Sequence, residues 1–290
     1  MERKIVSMRI DAIFKKFFME HEEMLRAFIS DILDIPLDEN DTIQIMNPEI
    51  PPETDDAKFS RLDLCLNVKN QLIDVEIQLS RHKDYRERTL FYWAKLYVSG
   101  LKKGSKYKDL KRTIAVNILD FNIFPRKKAF HTEIVATDKN THELFSDKFS
   151  IHFFELKKAN IDEHQSLEEL DRKEVWMELI RAESEEELEK VRRTGMPIMQ
   201  EAVRIVYDMS ADAKVRELAR WREKVLLDKE SALDEARTEG LERGEAQAIV
   251  NNVNTLMTTT KKSQEEVLSL LQISQEKYQS CLEVLQDNNE

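Results

Sequence analysis

The feature that most constrains the fold is a pair of short alternating segments between residues 61 and 79. Apolar residues recur at every second position over residues 62–68, which is the period of a half-buried β-strand. A polar turn follows at residues 69–71, and residues 72–79 resume as a second strand-like segment. Two such segments joined by a few polar residues predict a β-hairpin. A chain built around this hairpin needs a sheet and a core that covers its apolar face.

The polar side chains of the hairpin predict a face that carries chemistry. If the leucines around it face the core, Asp63 faces the other side, and Glu76 and Gln78 share that side in the second strand. Two carboxylates and an amide that converge from adjacent strands suit a hard divalent cation, because such cations take oxygen ligands. The alternative is that all three side chains face solvent, as acidic residues usually do.

The spacing of these residues resembles a known motif. An acidic residue, a hairpin and then E-x-Q is similar to the D…(D/E)-x-K core of the PD-(D/E)XK nucleases, with Gln78 where Lys is commoner. More narrowly, the chain resembles the recombination-promoting nuclease and transposase family of that superfamily. The matching sequence segments lie in collinear order within about the first 155 residues: D-A-I-F-K-K-F-F, N-P-E-I-P-P-E, K-F-S-R-L-D, V-E-I-Q, Y-R-E-R-T-L-F-Y-W-A-K-L-Y, G-S-K-Y-K-D-L-K and I-A-V-N-I-L-D-F.

The resemblance implies a metal-dependent endonuclease that hydrolyses DNA phosphodiesters, with a link to DNA recombination or mobile elements. Asp63 and Glu76 would bind Mg²⁺ or Mn²⁺, with the backbone carbonyl of Ile77 as a candidate further ligand. The third catalytic residue, Gln78, would lie near the attacking water. A glutamine can orient a water but cannot neutralise transition-state charge. We therefore expect slower catalysis than in a relative with Lys, or dependence on a second cation or on Arg86 or Arg88.

Two further acidic residues are candidates for the same site. Asp11 precedes apolar residues at helical spacing and is expected to cap that helix. The resemblance offers the alternative that Asp11 lies near the metal, because related nucleases often place a carboxylate on the first helix. Glu49 lies in one of the segments that resemble the family and could flank the site. The alternative is that it lies in a solvated loop.

A basic cluster follows the second strand of the hairpin. Arg81, Lys83, Arg86 and Arg88 lie at the start of a predicted helix, where the helix dipole mildly disfavours positive charge. This position makes them candidates for DNA phosphate contacts. The alternative is a charged helix face in solvent.

The order of the remaining elements predicts an α/β fold: a restriction-endonuclease-like mixed sheet flanked by helices, followed by an all-α C-terminal region. A helix is expected from Asp11 through residue 33, and another is expected to close at Gly100 or Gly104. Strands are predicted at 41–50, 111–121, 130–137 and 148–156. Further helices are predicted at 167–179, 185–193, 197–208 and from 212 to about 248. The predicted domains are residues 1–157, 158–248 and 249–290.

Composition limits the partners of the chain. With 290 residues and a net charge of −11, the protein does not hold DNA by bulk electrostatics, although a local basic patch would suffice. The two cysteines are far apart and predict neither a zinc site nor a disulfide framework. No apolar run has the length of a membrane span, so we expect a soluble cytoplasmic protein with no membrane partner. A narrow apolar stripe on the long charged helix suggests a homodimer through the C-terminal helices.

The sequence leaves two other hypotheses for the function open. One is a catalytically weak nuclease-fold protein that binds DNA or a protein partner. The other is a transposase, as the family label suggests, although the chain has no additional D-D-E constellation and no strongly basic domain. The final helices could form a degenerate helix-turn-helix, but their acidic residues favour a small packing module instead.

Overall fold

A six-stranded mixed sheet forms the centre of the N-terminal part of the chain. The structure, a computed structural model, describes residues 5–46, 49–50, 60–61, 63–81, 83–101, 104–161, 166 and 168–286, and only the backbone at 49–50 and 60–61. The strands are β1 (Ile43–Ile45), β2 (Glu49–Ile50), β3 (Ser60–Arg61), β4 (Leu64–Val68), β5 (Gln71–Gln78), β6 (Thr113–Leu119), β7 (His131–Thr137) and β8 (Leu144–Glu155). The α-helices are α1 (Asp11–Glu20), α2 (Glu22–Leu33), α3 (Tyr85–Ser99), α4 (Arg172–Arg181), α5 (Glu185–Arg193), α6 (Pro197–Ala211), α7 (Ala213–Thr260), α8 (Gln264–Leu270) and α9 (Gln275–Gln286).

The strands of the sheet run in the order β1-β4-β5-β6-β8-β7. β5 pairs with β6 in parallel and β6 pairs with β8 in parallel, whereas the other neighbours are antiparallel. β2 and β3 form a separate antiparallel pair. All seven residues of β6 are buried, because this central strand is covered on both faces. The predicted α/β class with a mixed sheet is confirmed.

The predicted hairpin is formed by β4 and β5. Lys69 and Asn70 make its two-residue turn with φ of 47° and 62°, and two consecutive positive φ angles are the geometry of a type I′ turn. The strand register pairs Leu64 with Val75 and Cys65 with Asp74. Residue 71, which the sequence assigns to the turn, is already part of β5.

One face of the hairpin packs on the largest hydrophobic core, which also contains α1, α2 and α4–α6. Aromatic rings fill this core: the ring centroids of Phe18 and Phe28 are 4.6 Å apart, and those of Phe28 and Trp176 on α4 are 5.4 Å apart. The expected single helix through residue 33 is wrong, because His21 leaves the helical conformation (φ −131°, ψ 83°) between α1 and α2. The break lets the phenylalanines of both helices reach one core.

The other face of the hairpin is covered by α3. Tyr85, Thr89 and Leu96 are its buried residues, and Gly100 caps its C-terminus, as expected. Trp93 packs at 4.6 Å on Phe149. Because α3 lies over this face, Asp74 and Glu76 of β5 are removed from bulk solvent.

The helical region divides differently from the boundaries drawn from composition. Residues 1–222 form one compact unit and residues 223–290 form another, and α4–α6 share the core of the sheet. The predicted domain boundaries at 157/158 and 248/249 stay predictions. α4 begins at Arg172, after the predicted position 167, because Asp171 caps it by accepting from the Lys173 backbone N–H.

The second unit contains the C-terminal part of α7 together with α8 and α9. These helices pack around Val253, Val267, Tyr278 and Cys281. Ser263 and Glu266 form the predicted capping box at the start of α8. Across the described helices, none is long and apolar enough to cross a membrane.

Candidate metal and phosphodiester site

Asp63 and Glu76 lie side by side at one end of the β4–β5 hairpin. Extending the register by one pair sets Asp63 opposite Glu76, so both side chains point to the face covered by α3. The Asp63 backbone N–H donates to Oε1 of Glu76 at 3.1 Å, and the Ile77 backbone N–H donates to Oδ2 of Asp63 at 3.1 Å. The hairpin thus holds the two carboxylates together through its own backbone.

Gln78 and Arg88 complete the surroundings of Glu76. Nε2 of Gln78 donates to Oε2 of Glu76 at 3.3 Å. The guanidinium of Arg88 on α3 lies 3.9 Å from the same oxygen. Glu76 is only 6% exposed, so the reading in which these acids simply face solvent does not hold for it.

A third acidic residue, Asp74, lies deeper on the same face. Asp74 is 2% exposed, and its Oδ1 atom has no hydrogen-bond partner. A cavity of about 10 Å³ lies between Asp74, Glu76 and residues of α3 and β6, close to the volume that one water needs. The acidic side chains on this face therefore outnumber the cationic side chains that pair with them.

Burial and mutual repulsion make ionisation of these acids unfavourable. Burial, followed by the charge of Asp63, raises the pKa of Glu76 to about 8, against the opposing effect of Arg88. Burial raises the pKa of Asp63 as well, and the Lys15 ammonium opposes that rise. The pKa of Asp74 lies well above its ordinary value because of burial and the nearby Glu76. A divalent cation would relieve this repulsion and favour the ionised carboxylates.

The chemistry of the donor set fits a hard divalent cation. In the described part of the chain, no group of three or more His, Cys, Asp or Glu side chains is arranged to hold a metal ion. Mg²⁺, however, is commonly bound through one or two carboxylates and keeps several waters. Asp63 and Glu76 supply two such carboxylates. The Ile77 carbonyl as a further ligand stays a prediction.

α1 brings a lysine to this site. Nζ of Lys15 lies 3.1 Å from Oδ1 of Asp63, and the Lys15 side chain is 23% exposed. The neighbouring residue, Lys16, instead pairs with Glu20 on the helix surface. The site thus contains a cation that approaches Asp63 from outside the hairpin.

Asp11 is held by a distant arginine. Nε and Nη2 of Arg222 on α7 donate to the two carboxylate oxygens of Asp11 at 2.7 and 2.6 Å. Contrary to expectation, Asp11 is not the N-cap of α1: the cap residue is Ile10, and no side chain caps the helix. Both Asp11 oxygens are engaged by the guanidinium, and a metal-binding role for Asp11 stays a prediction. The side chain of Glu49, the other candidate acid, lies outside the described residues.

The predicted basic cluster points in several directions. Arg88 faces Glu76, whereas Arg86 donates to the Ile123 carbonyl at 3.1 Å and lies 5.3 Å from the Phe124 ring. Arg81 and Lys83 precede α3 and are exposed. The loop that Arg86 contacts carries a second basic segment, residues 126–128, with Nζ of Lys127 5.1 Å from the same Phe124 ring.

Three residues near the site were not identified from the sequence. Asp74 shares the alternation of Glu76, so its parity could have indicated it. Lys15 follows Asp11 by one helical turn, so a site near Asp11 would also have placed Lys15 there. No local signal pointed to Arg222, because its contact joins residues from opposite ends of the first unit.

The fold and the paired acids define a class. A mixed sheet flanked by helices, with two carboxylates meeting across a hairpin, is a PD-(D/E)XK-like α/β protein. The chain matches the family described as PD-(D/E)XK nuclease family transposase over residues 8–236, and it belongs to that family. The resemblance drawn from the sequence is confirmed, and membership indicates a nuclease-like or transposase function. No curated protein and no solved structure is significantly similar to the chain.

Proposed function

We propose that the protein is a divalent-metal-dependent endonuclease that hydrolyses phosphodiester bonds in DNA. The observation that carries this proposal is the pairing of Asp63 with Glu76 across the hairpin of a PD-(D/E)XK-like fold, where the Asp63 backbone N–H donates to Oε1 of Glu76 at 3.1 Å. The family description, which joins nuclease and transposase, supports a role in DNA recombination or in the movement of mobile elements. Hydrolysis is the more economical chemistry because it requires only a metal, a water and a positioned phosphate.

Each residue of the site has a distinct role in this proposal. Asp63 and Glu76 would hold Mg²⁺ or Mn²⁺, which when bound would supply positive charge to the scissile phosphate and acidify a water. Gln78 orients the attacking water through its amide. Arg88, beside Glu76, offers positive charge to the phosphate, whereas Arg86 is engaged by the loop at residues 121–130.

The proposed DNA partner would lie along the exposed basic residues around α3. Arg81 and Lys83 precede α3, Arg86 lies in its first turn, and residues 126–128 add a second basic segment beside Arg86. Phosphate contacts of this kind are independent of sequence. A local basic surface can bind DNA although the whole chain carries a net charge of −11.

Cleavage of supercoiled plasmid tests the proposal. Wild type is expected to nick plasmid with Mg²⁺ or Mn²⁺ and to lose this activity in EDTA. Asp63→Asn and Glu76→Gln are expected to lower the rate at least about a hundredfold, because each removes a carboxylate ligand. The matched controls Asp147→Asn and Glu143→Gln change exposed acids near the β7–β8 turn and are expected to cleave like wild type.

The outcomes separate the competing functions. Activity that survives both site variants would contradict the assignment and indicate a contaminant. Metal-independent DNA binding without cleavage would favour the catalytically weak binding protein. Joining of cleaved ends to a second DNA, detected on a gel as strand-transfer products, would favour the transposase.

We also propose that the protein forms a homodimer through its C-terminal helices. Leu227 and Leu241 on α7 are 62% and 67% exposed, and their spacing of two heptads puts them on one face of the helix. Exposed apolar side chains that share one face of a charged helix support pairing with another helix.

A further inference from the structure

We propose that Lys15 supplies the positive charge at the scissile phosphate that Gln78 cannot supply. This inference rests on the proposed endonuclease function and assigns a catalytic role to a residue outside the hairpin. In the motif that the chain resembles, a lysine follows the second acid by two positions. Here that position carries the neutral Gln78, and a lysine from α1 contacts Asp63, one of the two carboxylates.

The position of Lys15 carries the argument. Its Nζ atom lies 3.1 Å from Oδ1 of Asp63, which is one of the two carboxylates proposed to hold the metal. A phosphate oxygen that binds beside Asp63 would therefore lie within reach of the same ammonium. The lysine side chain is unbranched and flexible, so its charged end can turn from the carboxylate to the phosphate without movement of α1.

The other nearby cations are placed less favourably for this task. Arg88 is 3.9 Å from Glu76 and lies over the Tyr92 ring at 5.2 Å. Arg86 donates to the Ile123 carbonyl. Arg222 makes two hydrogen bonds to Asp11. Among the residues that the structure describes, Lys15 is the cation in direct contact with Asp63.

The chemical step needs positive charge but no proton from Lys15. A water oxygen forms a bond to phosphorus, and the bond from phosphorus to the 3′ or 5′ leaving oxygen breaks. The attacking water loses its proton to solvent, and the leaving oxygen gains one as an alcohol. Negative charge grows on the phosphoryl oxygens between these events, and an ammonium beside them stabilises that charge more than it stabilises the ground state.

Four variants test the role of Lys15 in the purified protein. Lys15→Met is expected to lower kcat on the order of a hundredfold, the usual effect of removing one charge-stabilising donor. Lys16→Met is the matched control and is expected to stay within about twofold of wild type, because Lys16 pairs with Glu20 on the surface. Gln78→Lys in the Lys15→Met background is expected to restore most of the lost rate. Gln78→Lys alone is expected to give a smaller gain.

Binding of Mn²⁺ without DNA gives a readout that does not depend on activity. Because the ammonium of Lys15 competes for Oδ1 of Asp63, Lys15→Met is expected to bind Mn²⁺ as tightly as wild type or more tightly. Weaker Mn²⁺ binding in Lys15→Met, together with no rescue by Gln78→Lys, would mean that Lys15 only positions Asp63 and would overturn the inference.

The inference and the proposed function fail in different ways. Wild-type cleavage that depends on Asp63 but is unchanged in Lys15→Met would overturn the role of Lys15 and leave the endonuclease intact. No metal-dependent cleavage by wild type would overturn the proposed function, and the role of Lys15 with it.

Discussion

Buried and partly buried ionisable side chains lie on both faces of the described sheet. On the face beneath α3, Asp63, Asp74 and Glu76 share a small volume with few cations. On the opposite face, His131 and His152 are stacked across β7 and β8 with ring centroids 5.3 Å apart. Burial disfavours ionisation of the acids, which a bound cation would favour, and it disfavours protonation of the histidines.

The histidine pair is a hydrogen-bonded network. Nε2 of His131 and Nδ1 of His152 are 3.0 Å apart, and Nε2 of His152 lies 2.8 Å from the Ser150 hydroxyl. Burial lowers the pKa of His152 to about 4 and also lowers the pKa of His131. The other charged groups that act on His152 are Glu133, Lys173 and Arg112.

This depressed pKa predicts a loss of stability in acid. Between about pH 6.5 and pH 4 the unfolded His152 binds a proton that the folded residue does not bind, so the free energy of unfolding falls as pH falls. The slope is at most about 1.4 kcal/mol per pH unit for one such group. Denaturant unfolding at a series of pH values is expected to give a flatter profile in His152→Gln.

His142 offers the control for this experiment. It is exposed in the turn between β7 and β8 with φ of 59°, and asparagine tolerates that conformation. His142→Asn is expected to keep the wild-type pH profile. An unchanged profile in His152→Gln would show that other groups cause the acid sensitivity.

At the scale of elements, α1 connects the candidate site to the rest of the first unit. Asp11 at its start binds Arg222 on α7, and Lys15 one turn later contacts Asp63. Just before the helix, Arg9 pairs with Asp120 at the end of β6 at 2.8 Å. These contacts fix α1 against the strand ends where the acids lie, in addition to its buried phenylalanines.

The Asp11–Arg222 pair is expected to stabilise the first unit. Both side chains are partly buried, at 23% and 30% exposure, and the bond is bidentate. Such geometry favours a contribution of about 1 kcal/mol, at the upper end of the range for accessible pairs. A double-mutant cycle with Asp11→Asn and Arg222→Ala is expected to give a coupling energy of that size in denaturant unfolding.

Arg220 is the control for the Asp11–Arg222 ion pair, because it is exposed two residues earlier on α7. Arg220→Ala is expected to leave the free energy of unfolding within about 0.5 kcal/mol of wild type. A coupling energy near zero between Asp11 and Arg222 would refute a stabilising role. A large loss of cleavage in Asp11→Asn without loss of stability would instead support the metal-binding role.

At the scale of the whole molecule, the acidic net charge makes DNA binding local. The basic residues around α3 and residues 126–128 must supply most phosphate contacts, and each contact contributes to the salt dependence of binding. The triple variant Arg126→Ala, Lys127→Ala, Lys128→Ala is expected to make the dependence of log K on log salt less steep, by about 0.9 for each contact removed. Fluorescence anisotropy of labelled duplex in EDTA measures binding without cleavage.

A matched triple variant shows whether any loss of binding is specific. Lys139, Lys224 and Lys229 are exposed lysines outside the basic surface, and their replacement by alanine changes the net charge by the same amount. This variant is expected to keep the wild-type slope. Equal losses in both triple variants would mean that DNA responds to overall charge.

The proposed homodimer predicts concentration-dependent sedimentation. Leu227→Gln combined with Leu241→Gln removes exposed apolar surface from one face of α7 and is expected to shift the protein towards the monomer. Leu144→Gln, at an exposed position on β8, is the control and is expected to sediment like wild type. A wild-type protein that remains a monomer at all accessible concentrations would refute the proposal.

Local patterns were enough to predict much of this protein. Alternation located the hairpin and gave Asp63, Glu76 and Gln78 a common face, because side chains on a strand point to opposite faces in turn. Gly100 and Pro197 marked a helix end and a helix start, since their backbone preferences act at single positions. Collinear short motifs indicated the family over the first 155 or so residues.

Only the tertiary structure decided which distant groups meet. α3 buries Glu76, and burial rather than residue type raises its pKa. The bend at His21 separates α1 from α2, and the contacts of Lys15 with Asp63 and of Arg222 with Asp11 join residues far apart in the chain. Such contacts leave no periodic signal, because they depend on how whole elements pack. The sequence by itself determined the hairpin, the alternation of its acids and the family; packing determined the charge environment in which those acids lie.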